Sequence, residues 1–266
     1  MISRLIADSR KIVLKFGSNT LADREGKINP LILNEFAEQV ADLSKKGKQF
    51  VIVSSGARAA GISTMGKWAR KQDIHYKQAL CAVGQVELMG AWKRAFEKFG
   101  LHVAQILLTR DDFGDTNRTL NMRNTLFTLI DEGIIPIINE NDTVSVEEIK
   151  IGDNDTLASS SAILWSADLL ILLSDIDGLY TKNPKEFPDA ELVEEVRDIE
   201  ETKKRVVIGS VNNLGTGGIE TKISAAERAL AYGISTIITN GGRPKALEAL
   251  AAGTQQGTAF LTGDRE

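Results

Sequence analysis

Two hydrophobic rhythms alternate along the chain. Nearly continuous apolar runs recur at 11–16, 50–53, 101–109, 134–138, 168–173 and 235–239. Runs of that length, rich in Ile, Val and Leu and closed by Gly, Ser, Asn or Asp, predict short strands buried on both faces. Between them the apolar positions fall at helical spacing. Ile32, Leu33, Phe36, Val40 and Leu43 follow Asn29-Pro30, a helix cap and first-turn proline, and stop at Gly47. Leu80, Val83, Val86, Leu88, Trp92 and Phe96 mark a long amphipathic helix over 76–99. Further helices are predicted at 117–132 before Gly133, from Asp155 onward, around Lys222, and at 244–251. Residues 143–151 alternate and are β-branched, which predicts a small hairpin or arm. Residues 188–211 are charged and follow neither period. Strands alternating with helices predict an α/β fold, a three-layer αβα sandwich around a mainly parallel open sheet.

In such sheets ligands bind beyond the carboxyl ends of the strands, and the unusual polar residues collect there. Lys15, Ser55, Thr109, Asn139 and Asp175 each stand at such an end. The stretch 136–155, PIINENDTVSVEEIKIGDND, is the densest case. It sets Asn139, Glu140, Asn141 and Asp142 directly after a strand, then Asp153, Asn154 and Asp155 behind Gly152. Ionised Asp accepts hydrogen bonds and Asn both donates and accepts. Two such clusters suit a zwitterion, a cation, or lysines that must be held in position; a metal site would draw on Asp142, Asp153 and Asp155. Asn and Asp also suit turns and helix caps, and Asp153 or Asn154 is the expected cap of the helix that follows. The segment GTGGIETK at 215–222 is a glycine-rich turn entering a helix that carries Lys222. Backbone amides at such a point cradle anions. It is not a Walker A loop, because Glu220-Thr221 stand where that motif needs a glycine before the lysine. A plain glycine turn before a helix with a solvated lysine shows the same pattern.

Composition narrows the chemistry. At 266 residues, 42% hydrophobic and 26% charged, the chain has the make-up of an ordinary globular protein. A net charge of −4 gives no general attraction to nucleic acid or anionic membranes. Cys81 is the only cysteine, which fits a reducing compartment and a buried apolar role. No apolar run approaches the roughly 18 residues of a membrane span, and the N-terminus lacks the pattern of a signal peptide. The expectation is a cytoplasmic protein with neither membrane nor nucleic-acid partners. Only His75 and His102 are present, outside any motif, so chemistry that needs a histidine base is disfavoured. If the glycine-rich loop holds a nucleoside triphosphate, Lys15 and Lys222 supply positive charge around the transferred group. Two such lysines repel unless a carboxylate stands between them, and Asp155 is the candidate. An acceptor that is already an anion, such as a carboxylate, then needs no base.

KFGSNT at 15–20, SSGA at 54–57, LLTR at 107–110, INEND at 138–142, IGDND at 151–155, SDIDGLYT at 174–181 and LGTGG at 214–218 run in this order over nearly the whole chain. Together they resemble the amino acid kinase family, and most closely its glutamate 5-kinase branch. The resemblance implies ATP-dependent phosphorylation of the L-glutamate side-chain carboxylate, giving L-glutamyl 5-phosphate, the first step of proline biosynthesis. It implies Mg²⁺ accompanying the ATP, and leaves open whether protein side chains touch that ion. It casts Lys15, Lys222 and Asp155 as catalytic. Ser55, Asp142 and Asn154 fall on the glutamate positions, with Asn139 and Asp153 in support; Asp142 would accept from the amino group and Asn154 would donate to the α-carboxylate. Lys15, Ser174, Asp175, Thr216, Gly217, Gly218, Ile219, Glu220, Thr221 and Lys222 fall on the nucleotide positions. Ser174 stands where the branch more often has threonine. Many relatives carry a further C-terminal PUA domain resembling an RNA-binding fold. Here the expectation is a single kinase domain without it, with a glutamate lobe over 1–165 and an ATP lobe over 166–260. Inhibition by L-proline and a homo-oligomer, dimer or tetramer, are further implications. An acidic site would suit N-acetylglutamate poorly, and uridylate would call for basic residues in place of INEND. A silent sensor on the same fold would have no need of Lys15, Lys222 and Asp155.

Overall fold

The computed structural model describes residues 1–23, 27–66, 73–145, 154–184, 186–206 and 218–262. Asp153, Thr216, Gly217 and most of the expected arm, 146–151, lie outside the described residues.

The elements are, in chain order, α1 (Ile2–Asp8), β1 (Lys11–Phe16), α2 (Ser18–Leu21), α3 (Pro30–Lys45), β2 (Gln49–Ser54), α4 (Ala57–Met65) and α5 (Ile74–Glu97). After these come β3 (Val103–Leu108), a 3₁₀ turn (Arg110–Phe113), α6 (Thr116–Asp131), β4 (Ile135–Glu140), α7 (Asn154–Trp165), β5 (Leu169–Ser174) and β6 (Leu179–Tyr180). The last third contributes β7 (Leu192–Val193), β8 (Glu195–Val196), α8 (Ile199–Arg205), α9 (Ile219–Leu230), β9 (Ser235–Asn240), α10 (Ala246–Ala252) and β10 (Thr258–Phe260). Among the described residues, eight strands form one sheet in the order β3-β4-β2-β1-β5-β9-β10-β8, in which only the β9–β10 pairing is antiparallel. The αβα sandwich with a mainly parallel sheet is therefore present.

Strand alternation assigns each residue to one of two cores. Ile12, Leu14 and Phe16 of β1 join Phe50, Ile52, Leu169, Ile171 and Leu173 beneath α3, α5 and α10. Val13 faces the other way, with Val51, Val53, Leu170 and Leu172, beneath α6, α7 and α9. Because side chains alternate with period two, Lys15 falls on the second face, toward α7 and α9. Its lone charge in an apolar strand is explained by what those helices carry.

Chain order crosses the sheet at β1. Strands β2, β3 and β4 lie on one side of it, and β5 and β9 on the other. That reversal opens the crevice at the strand ends in which α/β proteins bind ligands. The carboxyl end of β2 turns into α4 through Gly56, whose φ of 111° places it in the left-handed region that favours glycine. Beyond that turn α4 crosses α5 at almost backbone distance. A Cβ on Gly84 would stand 1.7 Å from the Ala57 carbonyl oxygen, and one on Gly61 would stand 1.9 Å from that of Leu80. This crossing sets where Ser55 sits.

Several boundaries differ from the sequence reading for local reasons. Strand β4 runs on to Glu140, because Asn139 and Glu140 pair with Leu107 and Leu108 of β3. They belong to the strand instead of following it. Asn154 is the first residue of α7, so it is not the helix cap. The start of the expected arm is a turn in which Val144 and Ser145 both donate to the Asn141 carbonyl. Residues 188–206 resolve into two-residue strands and a short helix capped by Asp198, too brief to show a period.

Candidate active site

Lys15, Asp155 and Lys222 meet between β1, α7 and α9. The Lys15 ammonium lies 2.5 Å from Asp155 Oδ1, and that of Lys222 lies 3.1 Å from Oδ2. Asp155 has no solvent exposure and both lysines are buried. Thr221 adds its hydroxyl to Oδ2 at 3.0 Å. Burial alone would drive the Asp155 carboxyl upward, but the charges and hydrogen bonds of the two lysines overcome it and hold the group below the usual carboxylate range. The first turn of a helix also favours a negative charge, and Asp155 sits there in α7. Both ammonium groups are thus fixed by one carboxylate at the centre of the crevice.

On the β2–β4 side of this centre lies a sealed chain of amides. Asn154 Nδ2 donates to Ser55 Oγ and to Asn139 Oδ1, each at 2.9 Å. Asn139 Oδ1 also accepts from the Glu140 backbone at 2.9 Å, and its Nδ2 donates to Gln85 Oε1 at 2.8 Å. Ser55, Asn139 and Asn154 are all buried. Both Nδ2 hydrogens of Asn154 are engaged within this chain, whereas the sequence reading has the amide donating to a ligand carboxylate. The Ser55 hydroxyl accepts from Asn154 and keeps its own proton. Asn154 Oδ1 is buried without a partner among the described residues, and it offers an acceptor.

Asp142 completes this side. It is buried in the turn after β4, and Gln78 of α5 fixes that turn by donating to the Asp142 carbonyl at 2.9 Å. Burial pushes the Asp142 carboxyl up to about 6, against the pull of a Cys81 hydrogen bond and the charge of Arg58. Sequence reading missed Gln78 and Gln85. Their signal was visible: with Cys81 they fall three and four residues apart on the inner face of an amphipathic helix.

On the other side stand the loops after β5 and β9. Ser174 ends β5 buried, with its hydroxyl 3.2 Å from Asp175 Oδ1, and Asp175 is exposed and accepts from Asn19 at 3.0 Å. Asn240 donates to Asp177 at 2.9 Å, and Arg243 grips the same carboxylate at 3.2 Å. Gly218 caps α9, Ile219 packs into the core beneath it, and Glu220 is exposed. Thr109, expected to share the crevice, is instead committed to the 3₁₀ turn, where its hydroxyl meets Asp112 Oδ2 at 2.9 Å. The structure therefore gathers Lys15, Ser55, Asn139, Asp142, Asn154, Asp155, Ser174, Asp175, Gly218, Glu220, Thr221 and Lys222 at one edge of the sheet.

Of the three carboxylates that a metal site would draw on, Asp142 and Asp155 are described and Asp153 lies outside the described residues. Among the described residues no three His, Cys, Asp or Glu side chains lie close enough to share an ion. Both oxygens of Asp155, the carboxylate at the centre, are occupied by lysines. Nor is any described helix long and apolar enough to cross a membrane.

A model of the amino acid kinase family matches residues 10–240. The chain is 61% identical to the glutamate 5-kinase of Alkaliphilus metalliredigens over 263 residues, covering 99% of this chain and all of that protein. It is 47% identical to the glutamate 5-kinase of Geobacter sulfurreducens, covering 99% of this chain and 70% of that one. Among solved structures, the fold is similar to UMP kinase from Ureaplasma parvum (TM-score 0.66, 15% identity, 95% of this chain and 99% of that one). It is also similar to carbamate kinase from Giardia lamblia bound to AMP-PNP (TM-score 0.67, 17% identity, 97% of this chain and all of that one).

Proposed function

This chain belongs to the amino acid kinase family and, within it, to the glutamate 5-kinases, and we propose that Lys15, Asp155 and Lys222 carry its phosphoryl transfer. The reaction is ATP-dependent phosphorylation of the L-glutamate side-chain carboxylate to L-glutamyl 5-phosphate, which opens proline biosynthesis. A carboxylate oxygen of glutamate forms a bond to the γ-phosphorus while the bond from that phosphorus to the ADP oxygen breaks. The acceptor is already an anion, so no base has to remove a proton. The observation that carries the proposal is the single buried carboxylate of Asp155 between two lysine ammoniums. Charge on the transferred group is spread over its oxygens, and preorganised cations stabilise it. Lys15 reaches it from β1 and Lys222 from the first turn of α9. Mg²⁺ accompanying ATP would supply neutralisation of phosphate charge beside Lys15 and Lys222.

The substrate grip follows from the polarity of the amide chain. Ser55 donates to the α-carboxylate, while Asn154 Oδ1 and the Asp142 carboxylate accept from the ammonium; Asn139 supports them. The loops after β5 and β9, with Ser174, Asp175 and the start of α9 from Gly218, hold the nucleotide. Asp153, Thr216 and Gly217 are assigned to these two sides on the motif resemblance alone. On this division residues 1–165 form the glutamate lobe and 166–260 the ATP lobe of one domain. The site works in the cytoplasm, within a homo-oligomer. Val83 and Val86, exposed on the outer face of α5, support that assembly. Proline, which shares the ammonium and α-carboxylate of glutamate, inhibits by competing for the same grip.

ADP release from MgATP tests the proposal, measured with L-glutamate, L-aspartate, N-acetylglutamate and uridylate in turn. Release dependent on L-glutamate alone is expected. Release that is indifferent to glutamate, or that is supported by uridylate, overturns it.

A further inference from the structure

One backbone amide determines the polarity of the whole glutamate grip. The Glu140 N–H is an obligatory donor, so the Asn139 atom 2.9 Å away must be Oδ1. Asn139 Nδ2 then faces α5, where only an acceptor satisfies it, and Gln85 Oε1 stands there at 2.8 Å. The same Asn139 Oδ1 requires a nitrogen from Asn154, which it receives at 2.9 Å. The second hydrogen of that nitrogen makes Ser55 an acceptor, again at 2.9 Å. Ser55 is left with a proton to give and Asn154 Oδ1 with a lone pair to offer. A rotation of the Asn139 amide would reverse each of these assignments in turn.

We propose that Gln85 is a positioning residue for the acceptor substrate, because its carbonyl locks the Asn139 amide in the orientation from which Ser55 donates and Asn154 accepts. This rests on the reading of Ser55 and Asn154 as the glutamate grip. Gln85 itself does not touch the reacting atoms. Its Nε2 is buried and has no partner among the described residues, so only its oxygen holds the network. An amide nitrogen without a partner can be replaced by oxygen with no hydrogen bond lost. Gln85→Glu is therefore a conservative variant that keeps the acceptor, whereas Gln85→Met keeps length and flexibility but removes it.

Steady-state kinetics of the two variants and the parent chain, with L-glutamate and MgATP varied separately, test the inference. Gln85→Met is expected to raise the glutamate KM about tenfold, the scale for leaving a buried polar group unpaired. Its kcat and ATP KM should stay within about twofold of the parent, and Gln85→Glu should restore the glutamate KM. A glutamate KM in Gln85→Met within twofold of the parent overturns the inference, as does an equal loss in both variants. Kinetic changes that fall on kcat or ATP KM as much as on glutamate also overturn it, since they mark a general loss of structure. Thermal melts of all three proteins keep a folding defect separate from a loss of grip. Failure of the underlying reading would look different: the parent chain itself would show no dependence on glutamate.

Discussion

Asp155 shows how far one residue can be displaced from its preferred surroundings. A buried carboxylate is costly unless it is paired, and here two lysines provide the pairing within 3.1 Å. Its acidity follows: the lysines hold it below the ordinary range. Its contribution to stability is therefore present above the ordinary carboxylate value of 3.8 and is lost only as pH falls through the lowered one. In the proposed mechanism, removing a lysine would uncover the Asp155 charge and the phosphoryl group together. Lys222→Ala should lower kcat by about 10²–10³-fold, the scale for losing one preorganised donor, with a far smaller change in glutamate KM. An unchanged kcat in steady-state assays would remove Lys222 from the transfer. Asp142 is displaced in the opposite sense. Its carboxyl is pushed up to about 6, so in the free protein its ionisation detracts from stability as pH rises through that value. Only the ionised form accepts well from an ammonium, so kcat/KM for glutamate should rise with pH through about 6. Asp142→Asn should abolish that rise, increase glutamate KM roughly 10- to 100-fold from the lost charge-assisted bond, and raise the Tm at pH 8. A profile that keeps its inflection in the variant would assign the titration elsewhere. Lys15 was legible from sequence because a lysine in an apolar run is conspicuous, and Asp155 because two lysines need a carboxylate. The amide of Asn154, expected to donate to a ligand, instead meets Ser55 and Asn139 within the chain. Nothing in a sequence tells how many hydrogens of an amide are already taken.

At the scale of elements, the longer strands and helices follow from period and caps. Asn29 caps α3 through Leu31 as its sequence promised, and β1 spans the expected 11–16. What escaped is short or lacks contrast. Helix α4, ARAAGISTM, is made of small residues with little amphipathic pattern, and β10 has three residues. Helix α1 has no side-chain cap at its start; Lys48 donates to carbonyls at its end, reaching Ser9 at 2.7 Å. The α4–α5 crossing is the consequential omission, since Gly61 and Gly84 allow backbones to touch where a larger side chain would part them. Gly84→Ala should destabilise the fold by about 1–3 kcal/mol, the usual cost of overpacking. Because α4 leads from Ser55, and α5 carries Gln78 and Gln85, the same change should raise glutamate KM more than ATP KM. Chemical denaturation with parallel kinetics would check this, and an equal effect on both substrates would separate the crossing from the grip.

At the scale of the molecule, β1 lies between the two sides of the sheet, with Lys15 on the strand that borders both. In the proposed reading, residues after β2 and β4 would hold the acceptor and those after β5 and β9 the nucleotide. The outer face of α5 lies apart from this site and presents Val86 at 73% exposure. Val86→Glu should shift the mass in sedimentation velocity toward the monomer, and an unaltered mass would move the contact to another surface. The architecture was legible because alternating apolar runs and amphipathic helices permit few arrangements. The proposed division of labour rests on ordered motifs at strand ends. The amide chain is a property of three dimensions, since it joins Gln85, Asn139, Asn154 and Ser55 from four separate elements and turns. The central claim is that the phosphoryl group ends on the side-chain carboxylate of glutamate. An acyl phosphate formed there is captured by hydroxylamine as a hydroxamate, so the decisive measurement counts hydroxamate against ADP in reactions with MgATP and L-glutamate. Equal amounts, both dependent on L-glutamate and both abolished in Lys222→Ala, are expected. ADP without hydroxamate would contradict the account.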